Sequence, residues 1–180
     1  ISDLNQLSSI PQTLGQKPDL WAVHASEEIP DFSKFAQSQH IPYQCIAEDS
    51  LKGFPSTDIG YQTPPDPSKK NVIVTGSFDW FHSGHVRFLE EASEHGNLYA
   101  IVGHDQNILE LKGPGHPLFK QDERLFMVSA IRFVTQAMIS TGHGWMDAEP
   151  EIHRLKPAIY IVNEDGDKAP KRQICRENNL

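Results

Sequence analysis

A short β-branched run, NVIVT at Asn71–Thr75, ends at Gly76, and a second apolar run, LYAIVG at Leu98–Gly103, follows one helix-length later. Between them Val86, Phe88, Leu89 and Ala92 recur at helical spacing among Glu90, Glu91 and Glu94, until Gly96 and Asn97 stop the pattern. Continuous apolar runs of this length belong to strands covered on both faces. Strand, helix and strand with short joins close into a right-handed crossover between parallel neighbours. The alternation continues, with Asp122–Phe133 reading as an amphipathic helix, Gln136–Ser140 as a strand, Glu149–Leu155 as a short helix and Ala158–Val162 as a strand. The pattern predicts an α/β domain built on a doubly wound, Rossmann-like parallel sheet.

Upstream, TPPDPSKK at Thr63–Lys70 sets three prolines among polar residues and reads as an extended linker. The region before it alternates too: LWAV at Leu20–Val23, a helical stretch at Asp31–His40 and YQCIA at Tyr43–Ala47. Lys17–Ile41 aligns without gaps to Lys156–Leu180 at a constant offset of 139, an internal repeat in which the aromatic Trp21 stands where Tyr160 does. The expected organisation is a partial α/β unit over residues 1–60, a linker over 61–71 and an α/β domain over 72–180. The chain begins at Ile1 with no initiator Met or leader pattern, so it is expected to be a piece of a longer protein.

Composition narrows the partners. A net charge of -8 argues against sequence-independent binding of nucleic acid, which draws on clustered Lys and Arg. No apolar run approaches the ~20 residues needed to span a bilayer, so no membrane partner is expected. Cys45 and Cys175 lie far apart outside any CxxC or Cys/His cluster, which fits a reducing cytoplasm and predicts neither disulfide nor zinc site.

The chemistry is concentrated in TGSFDWFHSGH, Thr75–His85. A glycine turn and two histidines three residues apart fall where a strand of a parallel sheet gives way to a helix. Ligands of open parallel sheets bind beyond the strands' carboxyl ends, and free N–H groups at a helix N-terminus favour anions. Gly76 permits a tight turn and close approach, and Gly84 removes bulk where the helix begins. Imidazoles can donate to phosphate oxygens and stabilise charge that builds during nucleotidyl transfer.

GSFDWFHSGH, Gly76–His85, resembles the GxFDxxHxGH signature of the cytidylyltransferase-like nucleotidyltransferases, and the resemblance spans roughly Asn71–Leu180. It implies a nucleoside triphosphate substrate, CTP or ATP, whose nucleoside monophosphate passes to a phosphorylated small molecule with release of pyrophosphate and with Mg2+ as cofactor. It implies that His82 and His85 contact the triphosphate, that Thr75, Gly76, Ser77 and Phe78 line the same pocket, and that Asp79 shapes it. KGPGHPLFKQDERLFMVSAIRFV, from Lys112, resembles the segment in which a loop lysine and a helix arginine approach the phosphates, giving those roles to Lys112 and Arg124. Lys112, beside Gly113 and Gly115, reads as lying in a mobile loop. Asp105 and Arg132 are weaker candidates, and His104, His116 and His143 read as surface or loop residues. NEDGDK, after the last strand, occupies the place for ribose recognition, which makes Asn163 and Asp165 candidates.

The family's second signature, a Ser/Thr-rich turn after a further strand, would fall beyond Leu180. Ser56, Thr57 and Asp58 stand in its manner after Tyr43–Ala47, although the same residues also serve as a helix cap. Residues 1–60 are thus expected to be the tail of a preceding copy. Tyr43–Ile59 could also complete the sheet edge at Ala158–Val162, within one chain or in a swapped homodimer. A nucleotide-binding or regulatory module with a degenerate site is the alternative function, and a purely structural repeat protein a third.

Overall fold

The computed structural model describes residue 15, residues 17–54, residues 63–178 and residue 180. Their contacts divide the chain into two units, Ile1–Gly53 and Phe54–Leu180. Ser56, Thr57 and Asp58 lie outside the described residues.

In the first unit, β1 (Trp21–His24) leads through a 3₁₀ turn, Ala25–Glu27, into α1 (Pro30–Ser38), and then β2 (Tyr43–Ile46). Proline at the first helical position costs no hydrogen bond, since that N–H has no partner in a helix. Strands β1 and β2 pair in parallel, Trp21 opposite Tyr43. The strand expected to complete the Ala158–Val162 edge therefore takes β1 as its partner.

The second unit runs β3 (Asn71–Gly76), α2 (Ser83–Ser93), β4 (Asn97–Val102), α3 (Asp105–Lys112), α4 (Gln121–Ser129), β5 (Gln136–Ile139), α5 (Glu149–Leu155), β6 (Ile159–Ile161) and α6 (Ala169–Asn178). Its strands form one parallel sheet in the order β5-β4-β3-β6. Side chains alternate across it with the period of two that a strand imposes. Val72 and Val74 of β3, with Leu98, Ala100 and Val102 of β4, pack against Leu89 and Ala92 of α2 and Val128 of α4. Ile73 and Ile101 face the opposite way, onto Ile152 of α5 and Ile174 of α6. The sheet is thus covered on both faces, which is why β3 and β4 read as continuous apolar runs rather than alternating ones. After β3 the chain moves to one side for β4 and β5, then returns across to place β6 on the other. The order reverses at β3 and β6, and a crevice opens at their carboxyl ends.

Three sequence expectations change. Lys112 is not in a loop: it is the last residue of α3, and Gly113, at φ +87, ends the helix. Helix α4 stops at Ser129 rather than Phe133, because the Ile131 N–H turns back to the Val128 carbonyl and delivers Val134 to the core. The Thr63–Lys70 linker is not free along its length. The Asn97 side chain accepts from the Asp66 N–H at 2.9 Å and donates to the Asp66 carbonyl at 2.8 Å. Gly96 is required at the adjoining turn, where a Cβ would stand 2.1 Å from the Lys70 carbonyl oxygen.

Candidate active site

The carboxyl ends of β3, β4 and β6 and the N-terminus of α2 surround a cavity of about 670 Å³. Thr75, Gly76, Ser77 and Phe78 enter it from β3 and its turn, and His82, Gly84 and His85 from the start of α2. Lys112 reaches it from the end of α3, and Asn163 from beyond β6. Nine of the twelve expected site residues thus line one cavity. Of the other three, Asp79 and Arg124 are not among its lining residues, and the Asp165 side chain lies outside the described residues.

The turn between β3 and α2 is strained. Phe78 and Trp80 have φ of 48° and 55°, a left-handed conformation that costs a bulky residue about 1–3 kcal/mol. Such strain persists where the surroundings over-determine it, and the Phe78 ring is buried in the core, under Gly76. A Cβ on Gly76 would meet that ring at 3.2 Å.

At the helix start, the Gly84 N–H donates to His82 Nδ1 at 3.0 Å, and the His82 N–H donates to His85 Nδ1 at 3.3 Å. Each bond satisfies a backbone donor and fixes a tautomer. With Nδ1 accepting, a neutral imidazole carries its proton on Nε2, the donor left for a ligand. The rings lie 4.1 Å apart, and His85 stacks on Phe81 at 5.3 Å. Burial, then the charges of His82 and Lys112, lower the His85 pKa below the ordinary histidine value. An anion in the cavity would reverse the last two effects.

Around the turn, each polar group has a fixed role. Lys112 Nζ donates to Ser77 Oγ at 2.9 Å. Arg124 is fully buried: Nε donates to the Phe119 carbonyl at 2.9 Å, one terminal nitrogen to the Ser77 carbonyl, and the other to Asp105 Oδ1 at 2.8 Å. Its guanidinium holds the turn's backbone from behind. Asp79 accepts from the Leu118 and Phe119 N–H groups at 2.9 and 3.2 Å and pairs with His116 at 3.2 Å. Burial alone would raise the Asp79 carboxyl, but these bonds and the Lys112 charge outweigh it and hold the group below the usual carboxylate range. His104 is likewise structural, capping α3 through the Asn107 N–H and meeting the Gly142 carbonyl. Arg132 lies over the Phe133 ring. Asn163 caps the 3₁₀ turn Glu164–Gly166 by accepting from the Gly166 N–H at 2.9 Å. The Asp165 side chain is outside the described residues.

Sequence reasoning missed Lys171, which lines the cavity, and Tyr160, which is not a lining residue but shares Thr75 with it. Tyr160 of β6 and Lys171 of α6 both meet Thr75 Oγ1, at 2.6 and 3.1 Å. Burial raises the Tyr160 hydroxyl pKa and lowers that of the Lys171 ammonium. No spacing rule links residues 96 positions apart. Trp145, 55% exposed, also lines the cavity, beside Gly144, which Asn107 grips through both its N–H and its carbonyl. Among the described residues Asp147 is the carboxylate of the lining, and it accepts from Ser140 Oγ at 2.7 Å. Among the described residues no cluster of His, Cys, Asp and Glu forms a metal cage, and no helix is long and apolar enough to cross a membrane.

A bare glycine turn, a helix N-terminus with two imidazole donors, and lysines on either side, all at the switch point of a parallel sheet, is the architecture of phosphate-binding α/β proteins. The model of the cytidylyltransferase-like family matches residues 73–169, more than half of the chain, and the chain belongs to that family. It is 36% identical over 95 residues to an FAD synthase of Archaeoglobus profundus, covering 52% of this chain and 57% of that protein. Against an FAD synthase of Methanocella paludicola the identity is 44% over 107 residues, covering 57% of this chain and 73% of the relative. The chain thus spans between about half and three quarters of the length of these relatives. Among solved structures, the lipopolysaccharide core biosynthesis protein of Thermoplasma volcanium superposes with a TM-score of 0.52 at 25% identity, over 61% of this chain and 86% of that one.

Proposed function

We propose that the second unit transfers a nucleoside monophosphate from a nucleoside triphosphate to a phosphorylated small molecule. An oxygen of the acceptor phosphate attacks the α-phosphorus in line, the bond to the β-phosphate oxygen breaks, and pyrophosphate leaves with the electron pair. The observation that carries this reading is the reciprocal cap of His82 and His85, which commits both Nδ1 atoms to backbone and frees both Nε2–H groups for phosphate oxygens. Preorganised donors of this kind act where charge develops and need no reorganisation at the moment of reaction. Lys112 adds a cation beside Ser77, and Gly76 and Gly84 leave room for the phosphates. Arg124 and Asp79 serve by holding the turn and the segment after α3. Asn163 and Asp165 serve the ribose.

The FAD synthase relatives favour ATP over CTP, and FMN is the first acceptor to test, since FAD is an adenylyl group joined to the phosphate of FMN. Among the described residues Asp147 is the cavity's one carboxylate and is engaged by Ser140, which suits Mg2+ carried on the triphosphate with its own waters better than an ion caged by protein. Bound in that way, the ion would neutralise phosphate charge. Pyrophosphate release tests the proposal, using ATP or CTP with FMN and other phosphorylated alcohols. Release dependent on acceptor supports it, whereas tight triphosphate binding without release would mark a binding module instead.

A further inference from the structure

The strand, 3₁₀ turn and helix that carry Tyr160 and Lys171 occur twice in this chain. At the offset of 139, the turn Ala25–Glu27 corresponds to Glu164–Gly166, and Pro30, which opens α1, to Ala169, which opens α6. Two backbone bonds recur at the same offset. Glu28 N–H to Ala25 O matches Asp167 N–H to Glu164 O, and Ile41 N–H to Ala36 O matches Leu180 N–H to Cys175 O. His24 and Asn163, again equivalent, each cap their turn with a side chain.

Against this shared frame one pair differs in kind. Tyr160 and Lys171 occupy the positions of Trp21 and Phe32. In the first copy the two rings pack with centroids 5.9 Å apart. In the second, the Lys171 ammonium sits 5.5 Å from the Tyr160 ring, and both polar groups meet at Thr75 Oγ1. The first copy is a natural control: an aromatic pair satisfies the same strand, turn and helix. A half-buried lysine is the costlier choice, because burial penalises its charge. Among the described residues no carboxylate lies within ion-pair distance of Lys171. Asp147 and Asp167 favour its charge only from beyond ion-pair distance, so its direct polar partner is Thr75, and the cavity it lines leaves the ammonium room for an anion.

We propose that Lys171, steadied by Thr75 and Tyr160, binds the phosphate of the acceptor, leaving the triphosphate to Lys112 and the two histidines. The inference rests on the nucleotidyl-transfer reading. Thr75 and Ser77 stand on either side of Gly76, roughly 7 Å apart at strand rise, and each holds one ammonium group. Two substrate phosphates that repel each other must approach across that glycine. One lysine for each is the arrangement that relieves the repulsion, and Lys171 enters from the β6 and α6 side, opposite the histidine turn. By the same comparison, Trp21 and Phe32 mark a place in the first unit that holds no phosphate.

The test uses the full chain and inorganic phosphate as the smallest acceptor probe, titrated calorimetrically with and without saturating Mg-ATP. Lys171→Phe installs the residue the first copy already tolerates, so its melting temperature should stay close to the parent's. The expected result is one phosphate per ATP-loaded chain, weakened about tenfold or more in Lys171→Phe and recovered to within about threefold in Lys171→Arg, with ATP affinity unchanged in both. Unaltered phosphate binding in Lys171→Phe overturns the inference, as does no phosphate binding by the parent chain. An equal loss of ATP affinity also overturns it, by placing Lys171 on the triphosphate. If the parent chain binds no ATP at all, the nucleotidyl-transfer reading fails, and the titration without nucleotide still decides whether Lys171 holds phosphate.

Discussion

Arg124→Met separates two roles that sequence resemblance cannot distinguish. If the guanidinium touched the triphosphate, its removal would cost activity and little stability. The structure places it instead behind the phosphate-side turn, fully buried, with donors to the Ser77 and Phe119 carbonyls and to Asp105. Methionine fills much of the same volume but donates nothing. Removing one partner of a buried ion pair costs about 3–5 kcal/mol, and the Asp105 side chain, 29% exposed, pulls this toward the lower end because water can reach it. Two carbonyls lose a donor at about 1–3 kcal/mol each if left dry. These terms overlap, so the working figure is about 4 kcal/mol, which at roughly 2–4 °C per kcal/mol lowers the melting temperature by about 8–16 °C. Arg124→Lys should recover less than half of this, since one ammonium cannot serve three acceptors fixed for a planar fork. Thermal melts of Arg124→Met, Asp105→Asn and the double variant check the argument, with a coupling of at least about 1 kcal/mol expected between the two positions. A melting temperature within about 2 °C of the parent in Arg124→Met, together with lost turnover, would refute the reasoning and return the residue to the ligand.

Gly84→Ala should weaken triphosphate binding by about tenfold or more, because the new Cβ would stand 2.7 Å from the His82 ring and push the imidazole off its cap. Isothermal titration reads this directly. His82→Ala and His85→Ala should each lower turnover about 10²-fold while costing about 1 kcal/mol of stability through the lost cap, checked by pyrophosphate release beside a melt. The depressed pKa of His85 means that the unfolded chain binds its proton more readily than the folded one. Its effect is therefore absent well above pH ~6.5, and stability falls as pH drops from there through the folded pKa. A triphosphate raises that pKa, so nucleotide binding should take up protons near pH 6 and lose this uptake in His85→Gln, measured by calorimetry in buffers of different ionisation enthalpy. Asp79 behaves as a depressed carboxylate: its contribution is full above pH ~4, is lost as pH falls through its folded pKa, and should disappear from acid titrations of Asp79→Asn.

Much of this was legible because the second unit states its pattern locally. The runs Val72–Val74 of β3 and Leu98–Val102 of β4 are unbroken by charged residues since helices cover both faces, and helix α5 is bounded by Ala148 and Lys156 in the places its sequence implies. Helix α3 was illegible for the converse reason. It buries Asn107 and Ile108 while leaving Leu109 and Leu111 exposed, so no apolar stripe announces it, and the glycines after Lys112 read as loop. The histidine turn carried its chemistry in consecutive residues. Tyr160 and Lys171 did not, because their relation to Thr75 exists only once β6 has crossed to the far side of β3. Arg124 shows the opposite limit, where a motif named the residue and only packing revealed what it touches. The repeat lay between these cases: its offset is visible in sequence, and the same turn and the same two backbone bonds stand at both of its ends.

The central claim is that the Nε2–H groups of His82 and His85 donate to a bound triphosphate. Nitrogen NMR of the imidazoles tests it most directly, during titration of the full chain with Mg-ATP and then Mg-CTP. Both Nε2 resonances should move with the better nucleotide, while both Nδ1 resonances stay close to their starting positions because the backbone still holds them. Saturable nucleotide binding that leaves both Nε2 resonances unmoved would contradict it.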